Sequence, residues 1–207
     1  NLTNLVNGGQ VDPAELAKLQ QLCETVGISA DVAQRIADGM RDAAPITPPT
    51  AAASGAASTP EPTPAARPAN PPLLPDSVDE RTWLGVDPEA LRVLAPYVTI
   101  LPEKTYVNVN TAPREVLVAA LPGLDLATAE RIVQSRQRTP LKSAADLTAL
   151  APSLPDGSVN AIAISSNFFE VRGRLRLGST VLEQKSLVQR RGLDVVVLQR
   201  RRVSSRD

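Results

Sequence analysis

The stretch VNVNTAPREVLVAALPGLDLATAERIVQSRQRTPLKSAADLTAL, residues 107–150, decides how the rest of the chain is read. Val107 and Val109 alternate with Asn108 and Asn110, the pattern of a short strand running into a turn. Thr111 can N-cap a helix, and Pro113 fits its first turn, where a missing N–H costs nothing. Leu117, Ala120 and Leu121 recur at helical spacing. Pro122 and Gly123 break that helix, and Asp125 can cap a second one with Ala129, Ile132 and Val133 on its apolar face. Pro140 stops it. Ser143 and Asp146 then form a capping box that opens a third helix holding Leu147 and Leu150. The order is strand, helix, tight hairpin, helix, turn, helix.

Two readings of the hairpin compete. One is a helix-hairpin-helix DNA-binding unit. Its turn usually reads Gly-apolar-Gly, so that backbone N–H groups at the second helix can approach a phosphate. Here Asp125 stands in place of the second glycine. A carboxylate there repels phosphate and competes for the same N–H groups. The other reading, which the residue chemistry favours, is a helical packing module whose hairpin is a joint.

Outward from this stretch, the N-terminal side reads as more capped helices. Leu2 alternates with Asn1 and Thr3 and is followed by Leu5 and Val6, a strand pattern that Gly8 and Gly9 end. The chain thus opens inside a patterned element, as a piece of a longer protein would. Asp12, Pro13 and Glu15 start a helix with the stripe Leu16, Leu19, Leu22 or Cys23, and Val26. Ser29 starts another, with Val32, Ile36 and Met40 four apart. Residues 43–72 hold nine of the chain's 19 prolines and few large apolar side chains, which predicts a disordered linker. Ser77 and Glu80 predict a short helix through Trp83 and Leu84, and Asp87-Pro88-Glu89 starts one carrying Leu91 and Leu94. Residues 97–101 read as strand.

On the C-terminal side the period changes. Phe169, Val171, Leu175 and Leu177 alternate with Glu170, Arg172, Arg174 and Arg176, predicting a half-buried strand with a charged outer face. Turns at Gly178-Ser179 and Arg191-Gly192 make an antiparallel three-stranded meander. Three strands barely make a stable sheet. The N-terminal strand is therefore expected to join it. The expected fold is α+β: an antiparallel sheet from residues 1–11 and 164–203, a helical insertion over 12–163, and a tail at 204–207.

Composition narrows the function classes. The 22 basic and 22 acidic residues balance, so no global field points to nucleic acid or membrane. Residues 168–206 nevertheless hold 10 basic and 3 acidic residues, against 12 and 19 elsewhere. The arginines of the meander read as a solvated, edge-protecting face rather than a nucleic-acid surface. With no histidine, the usual general base and commonest zinc ligand are absent, and no nucleophile–base pair can be assembled. The chain is therefore read as a non-enzyme. No cofactor is expected. Calcium needs several oxygens close together. The nearest pair, Asp38 and Asp42, has Arg41 between its members, which leaves calcium a minor reading. The single cysteine, Cys23, sits among leucines and reads as a buried apolar filler. No run of apolar residues is long enough to span a bilayer.

Four segments together resemble the type II secretion system minor pseudopilin K family: Asn1-Leu2-Thr3-Asn4-Leu5; residues 91–101 with Pro96-Tyr97-Val98; Val107-Asn108-Val109-Asn110-Thr111-Ala112; and Ser165-Ser166-Asn167-Phe168-Phe169 before basic strands. The third is the most specific; the structural motif is read here as Asn108, Asn110 and Thr111 of that segment with Pro113, Gly123 and Asp125 after it. The resemblance implies a pseudopilin α+β fold with a large helical insertion. It implies a structural place at the tip of a periplasmic pseudopilus of a Gram-negative bacterium, with minor pseudopilins I and J as partners and secreted substrate or the outer-membrane secretin as further contacts. It implies an N-terminal hydrophobic helix, absent from these residues, that anchors the protein in the inner membrane. Some members bind calcium after the second helix; the equivalent residues 37–44 lack most of those acids. The competing reading is a helix-hairpin-helix DNA-uptake protein that binds nucleic acid.

Overall fold

The structure is a computed structural model that describes residues 1–44, 73, 86–155, 157–178 and 180–203. The expected linker lies outside the described residues except for Ala43, Ala44 and its border at Leu73, as do the Ser77 capping box, Trp83 and the 204–207 tail. The chain divides into two compact units, Asn1–Ala163 and Ile164–Asp207.

The first unit is helical: α1 (Pro13–Thr25), α2 (Ala30–Ala43), α3 (Pro88–Leu94), α4 (Arg114–Ala120), α5 (Leu126–Arg138) and α6 (Ala144–Leu150). Its strand pieces are only two residues long: β1 (Val6–Asn7) with β2 (Gln10–Val11), and β3 (Val107–Asn108) parallel to β4 (Ile162–Ala163). The caps read from sequence are in place. Asp12 Oδ1 accepts from the N–H groups of Ala14 (3.0 Å) and Glu15 (3.2 Å), with Pro13 behind it. Ser29 Oγ accepts from Asp31 N–H at 3.3 Å. Ser143 and Asp146 bond reciprocally, as a capping box does. Asp87 makes no side-chain cap bond, and the pre-set φ of Pro88 starts α3 without one.

Two apolar cores lie within this unit. The first joins Leu2 and Leu5 to Leu19, Leu22 and Cys23 of α1, Val32, Ile36 and Met40 of α2, and Leu91 and Leu94 of α3. Cys23 has no exposed surface, and burial pushes its thiol pKa up to about 11, which suits a filler rather than a nucleophile. The second core joins Val109, Leu117, Leu121, Leu124, Ile132 and Leu147 to Ile162. Helix α4 serves both: Ala119 faces the first core, Leu117 and Leu121 the second. The 3.6-residue period puts these positions on opposite flanks of one short helix.

The N-terminal strand is corrected. Residues Leu2–Leu5 form a 3-10 turn capped by Asn1, and β1 turns straight back onto β2. Leu2 and Leu5 are buried three apart on this turn, a spacing that alternation in sequence mimics. β1 is spent on a local hairpin with β2. The expected strand at 97–101 is also replaced by turn and extended chain, and its backbone is used by the N-terminal segment instead.

The second unit is one antiparallel sheet in the order β5 (Phe168–Leu177), β6 (Thr180–Arg191), β7 (Asp194–Val203). Its turns place Gly178 and Gly192 at φ 61° and 63°, a left-handed conformation that favours glycine. Phe169 opposes Val188, which opposes Val197; Leu175 opposes Leu182. Opposed residues share a face, so these apolar side chains lie together on one face, which the register also gives Arg190, Arg200 and Arg202. The expected half-burial is not found within the unit. Val171, Leu175 and Leu177 are 51%, 66% and 80% exposed. Among the described residues of this unit only Val188 and Gln189 are buried. A three-stranded sheet has one layer and nothing in its own strands to bury that face against.

Candidate functional site

The residues singled out from sequence fall into two groups in the structure. Asn108 lies at the end of a joint, Asn110, Thr111 and Pro113 just after it, and Gly123 and Asp125 at a hairpin.

The joint is the segment 99–109. Val109 N–H donates to Ala163 O at 2.8 Å, beside the parallel pair of β3 with β4. Asn108 Oδ1 accepts from Asn110 N–H at 2.9 Å, an Asx turn that bends the chain away from β3. The Asn108 carbonyl accepts from the N–H groups of Thr111 and Ala112. Asn110 then reaches across the second core. Its Nδ2 donates to Leu141 O and its Oδ1 accepts from Leu141 N–H, both at 2.9 Å. One amide thereby satisfies both backbone groups of one residue, as a strand neighbour would. Thr111 does not cap α4. It is exposed, and Pro113 holds the N-cap position without a side-chain bond, because the Asx turn at Asn108 delays the helix until Arg114. Arg136, from the last turn of α5, donates to Val109 O; partial burial lowers its pKa from the ordinary arginine value.

The other end of the joint holds the start of the chain, a role that sequence reasoning missed. Leu2 N–H donates to Thr99 O at 2.8 Å, and Thr3 Oγ1 donates to Leu101 O at 2.6 Å. Asn1 Nδ2 donates to Glu103 O, and Asn1 Oδ1 accepts from Leu101 N–H. Asn4 Nδ2 donates to Thr105 O at 2.8 Å while its Oδ1 accepts from Thr105 N–H at 3.1 Å. Asn4 thus repeats the two-bond clamp of Asn110. The available signal was an asparagine among leucines spaced for burial, where a free amide would be costly. Entry at residues 1–4 and exit at 162–163 are pinned to one eleven-residue segment, and the helices hang between these pins.

At the hairpin, Gly123 has φ 88°, and a Cβ there would meet Pro155 Cδ at 3.6 Å. Leu124 turns inward and is buried. Asp125 N-caps α5: Oδ1 accepts from Thr128 N–H at 2.8 Å and Oδ2 from Thr128 Oγ1 at 2.9 Å. These bonds, the backbone one foremost, hold its carboxyl below the usual aspartate range. Arg131 donates to Thr128 Oγ1 at 2.8 Å. The N–H that a helix-hairpin-helix would offer to phosphate is already bonded to a carboxylate of the chain. Arg131 is engaged at the same cap, and Arg136 faces inward to Val109. The hairpin is a joint between packed helices, which weighs against DNA recognition.

At the end of α2, Arg41 bonds Asp38 Oδ1 at 3.0 Å and Asp42 Oδ1 at 3.1 Å. The single guanidinium offsets part of the charge of the two carboxylates and occupies one oxygen of each. Among the described residues, no three His, Cys, Asp or Glu side chains gather where a metal could be held. Also among these residues, no helix is long and apolar enough to cross a membrane.

Comparison with known proteins gives this architecture a family. Two models described as type II secretion system (T2SS), protein K, match residues 1–103 and 107–165. Their border falls inside the 99–109 joint. The chain is 30% identical over 191 residues to the type II secretion system protein K of Pseudomonas aeruginosa, covering 92% of this chain and 57% of that protein. It is 32% identical over 135 residues to the Dickeya chrysanthemi protein of the same name, covering 61% and 38%. The fold is similar to a chain in the crystal structure of the GspK-GspI-GspJ complex from the enterotoxigenic Escherichia coli type 2 secretion system. The TM-score is 0.66 at 21% identity, over 99% of this chain and 76% of that one. The chain thus spans little more than half the length of the Pseudomonas relative, and it belongs to the type II secretion system protein K family.

Proposed function

We propose that this chain is the periplasmic part of a minor pseudopilin. In this reading it is a structural subunit at the tip of a type II secretion pseudopilus, assembled with GspI- and GspJ-type partners to support protein export. The observation that carries the reading is the family match running through both cores and the joint, residues 1–165. The related protein was crystallised in complex with GspI and GspJ, which supports the choice of partners.

The geometry supports a role by shape rather than by chemistry. Pseudopilins stack head to tail in an open-ended assembly, and such an assembly stops where an added subunit clashes. The helical unit has two apolar cores of its own, so it can act as bulk. The exposed apolar sheet face, with Leu175 66% and Leu177 80% exposed, calls for a cover. We assign that cover to the N-terminal hydrophobic helix that the family resemblance implies, which would also anchor the protein in the inner membrane. No catalytic step is assigned.

The test is size-exclusion chromatography of the chain with the soluble domains of GspI- and GspJ-type proteins of the same system, run beside the chain with duplex DNA. A ternary peak without a DNA shift is expected. A DNA complex that weakens with salt, with no ternary peak, would overturn the reading. The capping role is tested separately: removing the helical unit while the sheet stays folded should abolish tip-restricted location.

A further inference from the structure

Of the chain's asparagines, only Asn7 precedes a glycine. It ends β1, where Gly8 and Gly9, at φ 57° and 79°, turn the chain back onto β2. Asn1, Asn4, Asn108 and Asn110 hold their side chains in hydrogen bonds. The Asn7 amide is exposed and bonds to none of the described residues. The backbone nitrogen of the next residue is the group that such an amide meets. That nitrogen can attack the side-chain Cγ and close a five-membered ring. A side chain on the next residue obstructs the closure, and glycine has none. A Cβ at Gly8 would meet nothing within 4 Å, so the tip is also open to water. Closure requires Asn7 to leave its extended conformation. Only the Asn7–Gln10 pair has to open for this, while Val6 and Val11 stay packed on the first core. The end pair of a two-residue ladder opens at little cost.

We infer that Asn7 is a self-modification site, which converts in the folded protein to a mixture of aspartate and β-linked isoaspartate. The Gly8 nitrogen bonds to Asn7 Cγ. The Cγ–Nδ2 bond breaks, and ammonia leaves with the proton of the Gly8 N–H. Water then opens the ring. Addition at Cγ gives aspartate in the ordinary backbone. Addition at the main-chain carbonyl carbon leaves Gly8 joined through Cγ, with one more methylene in the backbone. No group is oxidised or reduced. Both products add a carboxylate, and the β-linked one breaks the register of residue 7 with Gln10. Asp38-Gly39 supplies an internal contrast. Asp38 lies inside α2, where the helix fixes the backbone, and its carboxylate is held by Arg41 at 3.0 Å and Gln34 at 3.1 Å. An ionised carboxylate is also a poorer electrophile than an amide. The inference is independent of the pseudopilin reading.

The experiment incubates the unaltered chain at mildly alkaline and at mildly acidic pH. Samples are digested in acid, which keeps the digestion from driving the reaction, and each asparagine is followed by mass spectrometry. Electron-transfer fragmentation separates the two linkages. Asn7 should convert about tenfold or more faster than Asn160 and Asn167, which are exposed but followed by Ala161 and Phe168. Conversion should be faster at alkaline pH, because the Gly8 nitrogen must give up its proton. Isoaspartate should appear at residue 7 and not at residue 38. The chain's 22 basic and 22 acidic residues then gain one acid, so an acidic satellite should grow on ion exchange. The satellite should be lost in an Asn7→Ser variant, which keeps a polar residue at the turn. Conversion of Asn7 no faster than that of Asn160 and Asn167 overturns the inference. Conversion seen only in urea overturns it as well, since the folded hairpin would then be closed to the reaction. A satellite that persists in Asn7→Ser places the chemistry elsewhere and has the same consequence.

Discussion

In the helical unit Leu117, Leu121, Ile132 and Leu147 have no exposed surface, whereas in the sheet Leu175 and Leu177 keep most of theirs. The two regions hold their backbones in place by different means. The helices are fixed by apolar burial, by side-chain caps at Asp12, Asp125 and Ser143, and by amide clamps at Asn4 and Asn110. The sheet is fixed almost wholly by its own ladder. Burial is the dominant stabilising term in folding, so the helical unit carries its own reason to fold, and the sheet, one layer of three strands, has much less of it.

The largest effect should come from breaking the self-sufficient side. Leu117 sits on α4, between the two cores, and is fully buried. Leu117→Ala should cost about 3 kcal/mol, the usual loss for a buried leucine that leaves a cavity. Urea denaturation followed by far-ultraviolet circular dichroism measures it. A loss under about 1 kcal/mol would mean that α4 does not hold the cores together.

The clamps come next. Asn110→Ala leaves both backbone groups of Leu141 without their side-chain partner and should cost about 1–3 kcal/mol, the desolvation cost of a buried polar group left unsatisfied. Asn4→Ala should behave alike through Thr105. Amide hydrogen exchange provides a local reading: the Leu141 N–H should lose protection in the first variant and the Thr105 N–H in the second. Unchanged exchange at both sites would reduce the joint to ordinary loop.

Most of the helical unit was legible in sequence because caps and apolar stripes are local signals. Asp12-Pro13, Ser29 and Ser143-Asp146 each mark a start within four residues. The strand–turn–helix order around Asn108 was also visible, and so was the misfit of Asp125 to a phosphate site. Three things were hidden. Leu2 and Leu5 read as a strand because two apolar positions do not separate a period of three from a period of two. Thr111 outranked Pro113 as a cap because the Asx turn that delays α4 is set by tertiary pairing of β3 with β4. The partners of Asn4 and Asn110 lie at Thr105 and Leu141, and no local rule links such positions. The sheet's alternation was read rightly, but alternation states only that a face is apolar, not that anything within these residues covers it.

Asp125 tests the hairpin with a smaller effect. Its folded pKa is lowered, so the stability it adds is present above the unfolded value near pH 4 and is lost as pH falls through the folded pKa. Asp125→Asn keeps a capping side chain and removes the charge. The variant should melt slightly below the unaltered chain at pH 7, and the gap should close as pH falls below about 4. A gap that persists at pH 2 would assign the effect to geometry instead of charge. A gain of DNA binding in Asp125→Gly would show that the carboxylate was all that kept the hairpin from a phosphate.

The smallest effect should be in the sheet. Leu175→Ser replaces a leucine that is 66% exposed and opposes Leu182 on the open face. In this chain it should change stability by no more than about 0.5 kcal/mol, as exposed positions do. In a longer chain carrying the proposed N-terminal helix, the same substitution should cost about 2 kcal/mol if that helix covers the leucine, because its transfer from water is then lost. The pair of measurements therefore reads the cover directly. Equal small losses in both chains would mean that the face stays open and the helix packs elsewhere. Equal large losses would mean that the face is already closed in the shorter chain, and the contrast between the two units would fail.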